Sequence, residues 1–220
     1  MNLRKELPLL CIVLIPFLYL GYMYADLPDT VPTHWNIEGE IDDWGSKSTL
    51  WILPFATSFL IYVIMSIVPK IDPKGQIKQM GAKFYQLKFI AVLFMTVLSI
   101  YILHSTQQTS MTAPNMLFVL IGVFFAALGN YLPSVKPNYF VGLRTPWTLE
   151  SAHVWKKTHR LAGKLWVFGG LAVIVAALLI PKAQNLIVFF VITGIITLIP
   201  LVYSYLWYKQ EKAEINSSSI

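Results

Sequence analysis

Six apolar runs leave this chain few folds to choose from. They fall at residues 7–25, 50–68, 89–104, 114–132, 165–180 and 186–208. At about 1.5 Å of rise per residue, roughly 20 residues of helix cross the hydrocarbon layer of a bilayer. In lipid, backbone polar groups must bond within their own segment, so runs of this length become helices. Only 13% of the residues are charged, against about 25% in a soluble domain, and little chain remains for a separate soluble domain. The expected fold is all-α, a polytopic membrane protein with six transmembrane helices. Pro16 and Pro200 fall inside their runs and are expected to kink them. Arg4 and Lys5 precede the first run as in a signal peptide, but the run has the length of a span and no small-residue cleavage site follows. It reads as an uncleaved first span, with Cys11 as a small apolar residue in it.

Charge sets the orientation. Lys and Arg number 17, and with six spans all but Lys47 and Lys182 fall on one side, a split of 15 to two. Basic residues collect on the cytoplasmic side, so both termini are expected to be cytoplasmic and the loop 26–49 external. The net charge of +6 therefore reflects topology and not binding to nucleic acid. In the first cytoplasmic loop, Lys78, Lys83 and Lys88 read as residues drawn to anionic headgroups.

The external loop has the opposite character. Asp26, Asp29, Glu38, Glu40, Asp42 and Asp43 face only Lys47. Trp35, Trp44 and Trp51 suit an interfacial aromatic belt. The loop reads either as solvated acidic chain kept outside by topology or as a receptor surface for a cation or cationic peptide. The run from Glu38 to Asp43 lacks the full oxygen-ligand spacing of a calcium loop. The two halves of the chain divide into 1–70, a helical hairpin carrying this loop, and 71–220, a four-helix region.

Several chemistries lack their residues. The apolar cores hold no Asp, Glu, Lys or Arg, and His104 sits at the outer end of its run. Ion-coupled transporters usually keep an ionisable group at membrane depth. No zinc-protease, nucleophile-elbow or phosphate-loop motif is present. His153 and His159 are six residues apart, a spacing that does not place two metal ligands on one helical face. No catalytic residue, metal site or cofactor is expected.

Between the fourth and fifth runs lies a polar, aromatic and basic stretch, 130–164, with six of the 17 basic residues. Lys136-Pro137-Asn138-Tyr139 reads as a turn. Thr145 suits a helix cap, Pro146 the first helical position, and Glu150 the positive end. Arg144, beside Gly142, Pro146 and Trp147, reads as the centre of a shaped turn that stacks on a ring or holds backbone carbonyls. Residues 148–164 form an amphipathic helix, with His153, Lys156, Lys157, Arg160 and Lys164 on one arc. Lying in the membrane plane, it would be a topological anchor, a docking face for a cytoplasmic protein, or a site for phospholipid or another anionic ligand. The tail 210–220 is expected to be disordered.

Residues Lys136-Pro137-Asn138-Tyr139-Phe140-Val141-Gly142-Leu143-Arg144-Thr145-Pro146-Trp147-Thr148, with Gly129-Asn130, Val154-Trp155, Thr158-His159-Arg160 and Gly163, resemble the SdpI family of bacterial membrane proteins. Leu27-Pro28, Val31-Pro32, His34-Trp35-Asn36, Gly39 and Asp42 resemble the short extracytoplasmic domain of unknown function found with it. The resemblance implies a non-enzymatic immunity and signal-receptor protein of the bacterial plasma membrane. It would give resistance to a secreted toxin peptide and hold a cytoplasmic transcriptional repressor at the membrane, without binding nucleic acid itself. On this reading the ligand-facing residues are His34, Trp35, Asn36, Glu38, Glu40, Asp42 and Asp43. The face for a partner or for lipid headgroups comprises Asn138, Arg144, Trp147, His153, Trp155, Lys156, Lys157, His159, Arg160 and Lys164. Two other classes remain: a small permease or lipid-handling transporter, and an enzyme at the membrane surface built on Arg144, His153 and His159.

Overall fold

The computed structural model describes residues 3–36, 38–108 and 115–218. Its six long helices are Leu3–Met23, Lys47–Ile71, Ala82–Ser105, Asn115–Tyr131, Ala152–Leu179 and Lys182–Ser218. Each is long and apolar enough to cross a bilayer, and the chain is a multi-pass membrane protein. Pro16 and Pro200 lie inside unbroken helices. The second span is irregular: it opens with a 3₁₀ turn at Lys47–Trp51 and widens to a π-helix at Phe55–Phe59. Pro54 supplies no backbone donor there, and the Thr57 and Ser58 hydroxyls bond the carbonyls of Leu53 and Pro54.

Spans one to three pack together. Leu9, Val13, Tyr62 and Val92 form one cluster, and Leu20, Met23, Leu50 and Leu103 belong to another nearer the opposite end. The third span thus goes with the first two in packing, although the division at residue 70 separates it from them. In the second group the fifth span sits between the fourth and the sixth. Its Gly163 and Gly170 meet Gly129 and Gly122 of the fourth span so closely that a Cβ on Gly129 would lie 2.5 Å from the Val167 nitrogen. Small residues of this kind let backbones touch, which is how helices associate where lipid removes the hydrophobic drive. Phe94 stacks on Phe124 at 4.1 Å between the two groups. Outward faces carry exposed Leu18, Phe168, Leu179, Phe190 and Leu198, the pattern of side chains that meet lipid.

The two ends of the bundle differ. One carries a two-stranded antiparallel sheet, β1 Thr30–Trp35 and β2 Ile41–Ser46. Buried Leu27 and Val31 join the Leu20–Leu103 cluster, which docks the base of this hairpin on the helix ends. The other end holds Asp72, the short helix Gln76–Met80 and the stretch after the fourth span, gathered on a core of Met65, Ile77, Phe84, Tyr131 and Trp155.

Three sequence expectations change. Residues 148–164 do not form a separate helix in the membrane plane. Ser151 breaks the chain after a five-residue helix, Pro146–Glu150, and then caps Ala152–Leu179, in which the basic turns run straight into the fifth span. At about 1.5 Å per residue that helix outruns the hydrocarbon layer, so its first turns project beyond it. Through the described residues to Ser218, the tail continues the sixth helix. Lys88 is no surface charge: it is 3% exposed, and its ammonium donates to Glu6 at 2.7 Å.

Candidate functional site

Residues from both candidate sets occupy opposite ends of the bundle. On the hairpin, the turn is closed by Asn36, whose backbone amide donates to the Glu40 carbonyl at 2.8 Å. Its side chain accepts from the Glu40 amide at 2.9 Å and donates to the Glu40 carboxylate at 3.2 Å. Gly39 takes a positive φ of 82° in this turn. The His34 imidazole bonds the Asp42 carboxylate, while Glu38 and Asp43 are exposed and Trp35 is half-buried. Lys47 is engaged by Asp29 at 3.2 Å, by the Leu27 carbonyl and by the Tyr24 ring. With their cation held at the base, the acidic groups at the tip present a negative surface. Among the described residues no three His, Cys, Asp or Glu side chains converge as a metal site. The strand pairing was not read from sequence. Burial along Thr30–Trp35 does not alternate and the pairing is irregular between Pro32 and Trp35, so the strand leaves no period-two signal.

At the other end, the stretch after the fourth span is organised by Asn138 and His159, both buried. Asn138 donates to the carbonyls of Lys136 and Val141 and accepts from the amides of Phe140 and Val141, all within 2.7 to 3.1 Å. His159 accepts from the Leu143 amide at 3.1 Å through Nε2 and faces the Trp155 carbonyl at 2.8 Å with Nδ1. An acceptor Nε2 together with a donor Nδ1–H defines a neutral ring. Trp155 stacks on that ring at 4.1 Å and donates to the Val135 carbonyl at 2.7 Å. Gly142 has a φ of 104°, and a Cβ there would come 2.3 Å from His159 Nε2, so the loop needs glycine on both counts.

These contacts revise the sequence reading. Asn138, Trp155 and His159 cannot belong to an exposed partner or lipid face, because each is buried in the turn's own packing. The turn is built around Asn138 and His159 rather than Arg144, which is exposed and holds the Tyr139 carbonyl from outside. His153, Lys156, Lys157, Arg160 and Lys164 are exposed on one side of the fifth helix. Arg144, His153 and His159 do not form one site: His153 bonds Glu211, and both nitrogens of His159 are occupied.

The sixth helix supplies partners that sequence reading missed. Trp147 donates to Ser204 and packs edge-on against Tyr205 at 5.4 Å. Ser151 bonds Glu211, and Lys157 lies over the Trp207 ring. Glu150 accepts from Lys212 at 2.8 Å and from Tyr208. The Lys212 and then the Tyr208 hydrogen bond hold its carboxyl below the usual carboxylate range. Contacts separated by some 60 positions in sequence leave no local signal.

This geometry coincides with the region that matches a known family. The SdpI/YfhL protein family model covers residues 134–204, from the turn through most of the sixth helix. A domain of unknown function (DUF1648) covers residues 11–57, the first span and the hairpin. The immunity protein SdpI of Bacillus subtilis (strain 168) is 30% identical over 214 residues, which take in 94% of this chain and 98% of that protein. The chain belongs to the SdpI family. An uncharacterized protein of Archaeoglobus fulgidus shares 43% identity over 62 residues, 28% of this chain and 33% of its own. No solved structure matches. The buried turn and its Trp147–Ser204 contact lie under the family match, the contacts from Tyr205 to Lys212 lie beyond it, and the acidic hairpin lies under the second domain.

Proposed function

We propose that this chain is a non-enzymatic immunity and signal-receptor protein of the bacterial plasma membrane, with the hairpin outside and both termini in the cytoplasm. It gives resistance to a secreted toxic peptide. The observation that carries the reading is similarity to an immunity protein along 94% of the chain, joined to a hairpin whose acidic tip is exposed. A peptide arriving from outside meets Glu38, Glu40, Asp42 and Asp43 first, and a cationic one is drawn in by their field. On the other side, Lys156, Lys157, Arg160 and Lys164 face the cytoplasm. They rest against anionic headgroups, each contributing on the order of 1 kcal/mol, and are open to a repressor. Packed spans separate the hairpin from the basic face.

Two measurements test this reading. Produced in a peptide-sensitive bacterium, the chain protects against at least one member of a panel of secreted membrane-active peptides; protection against none removes the immunity reading. Reversing the charge of Lys156, Lys157 and Arg160 lowers recruitment of a cytoplasmic partner at equal protein level, and unchanged recruitment removes the docking face. A permease or lipid-handling transporter would need a polar path, whereas the six apolar runs hold no Asp, Glu, Lys or Arg. Peptide or lipid flux in reconstituted vesicles would decide in its favour.

A further inference from the structure

A cleft of about 920 Å³ opens at the end of spans one to three away from the hairpin. Its inner end holds the buried pair Glu6–Lys88, 2.7 Å apart. The Tyr62 hydroxyl donates to the same Glu6 oxygen at 3.2 Å, and Lys88 lies 4.1 Å from the centre of the Tyr62 ring. Glu6 and Lys88, from the first and third spans, thus close the floor, with Tyr62 behind them, and the Lys88 charge is balanced there. The Asp72 carboxylate accepts from the backbone amides of Lys74 and Ile77. Two exposed lysines of the lining, Lys70 and Lys78, have no ion-pair partner among the described residues. Buried Met65 and Phe84 give the wall an apolar side.

We infer that this cleft binds a phosphate-bearing ligand, with Lys70 and Lys78 on the phosphate. Lysines act on phosphate as mobile point charges and need no fixed fork. The volume lies in the range of small-molecule sites, and a mostly apolar lining with a few placed polar groups is their usual character. The cleft sits at the ends of the spans, where headgroups lie, and its apolar wall suits the glycerol and first methylenes of an anionic phospholipid. A soluble phosphate ester offers the same phosphate chemistry without that apolar match. The site is separate from the basic face of the fifth helix, and it goes beyond the immunity reading because it requires no toxin.

The test uses the full chain, delipidated and placed in nanodiscs of phosphatidylcholine with or without phosphatidylglycerol. Native mass spectrometry reads the phosphatidylglycerol that stays bound. The wild type retains it. A Lys70→Gln/Lys78→Gln variant loses affinity roughly thirtyfold at an unchanged melting temperature, while Lys136→Gln/Lys209→Gln, a change at two exposed lysines outside the cleft, retains it. A second arm titrates glycerol 3-phosphate against the detergent-solubilised protein and reads thermal stability. A rise that needs Lys70 and Lys78, without phosphatidylglycerol retention, assigns the site to a soluble phosphate ester. If neither ligand depends on Lys70 and Lys78, or if both lysine pairs reduce retention equally as general surface charge, the inference is wrong.

Discussion

Asn138 spends its whole bonding capacity on the backbone of one turn, two donors and two acceptor positions on neighbours from Lys136 to Val141. No other side chain of this size offers that set. Its truncation leaves buried amides and carbonyls unpaired, at about 1–3 kcal/mol for each group that water cannot reach. Asn138→Ala is therefore expected to cost at least about 2 kcal/mol in a mixed-micelle unfolding titration. A cost within about 0.5 kcal/mol, the level of an ordinary surface substitution, would show that the turn does not depend on it. His159 holds the same turn from the fifth helix through the Leu143 amide. His153, although close in sequence, is exposed and its surface contact with Glu211 is long at 3.4 Å, so its loss should cost less than about 1 kcal/mol. In sequence the two histidines look alike. Only the path of the loop over the helix separates them, and that path depends on long-range bonds which no local pattern encodes.

At the scale of elements, the fourth and fifth spans meet through glycines. A Cβ on Gly129 would press on backbone of the fifth span at 2.5 Å, and backbone cannot rotate aside as a side chain can. Gly129→Leu should part these helices and cost about 1–3 kcal/mol or more, read as a lower unfolding midpoint. An unchanged midpoint would mean the crossing is looser than described. The projecting end of the sixth helix is clasped to Pro146–Glu150 through Glu150, Lys212 and Tyr208. Because the folded Glu150 pKa lies below its ordinary 4.5, the clasp contributes above that value and is lost as pH falls through the folded one. The amide-exchange protection factors of residues 209–217, taken against the intrinsic rate at each pH, should accordingly fall on acidification, and less so in Glu150→Gln, where the proton-dependent part is absent. An equal fall in both proteins would assign the effect elsewhere. The spans themselves were legible because hydropathy over about 20 residues is a local property. The hairpin was not, since two short strands with a proline and six acids nearby give a weak period. Nor was the Glu6–Lys88 pair, whose members are 82 positions apart. The basic residues of the fifth helix are exposed, but that helix runs on into the span and does not lie separately in the membrane plane, and nothing in the sequence marks the continuity across Lys164.

The whole molecule has two unlike ends joined by a packed bundle. One end is acidic and stands on a hairpin; the other is basic and is drawn together by the Asn138 turn, the sixth helix and the cleft floored by Lys88. A receptor that meets a peptide on one side and a partner on the other requires this separation. The fold class and the family were legible in the sequence, since composition and an uncommon run of residues carried them. The division of labour between exposed and buried residues within the family stretch was not. The most direct measurement is survival of a peptide-sensitive bacterium that produces either the wild-type chain or a variant with Glu38→Gln, Glu40→Gln, Asp42→Asn and Asp43→Asn. At equal membrane levels, the wild type should protect against a secreted cationic peptide and the variant should lose most of that protection. If the wild type protects against no peptide, or the variant protects equally well, the account of an acidic external receptor is contradicted.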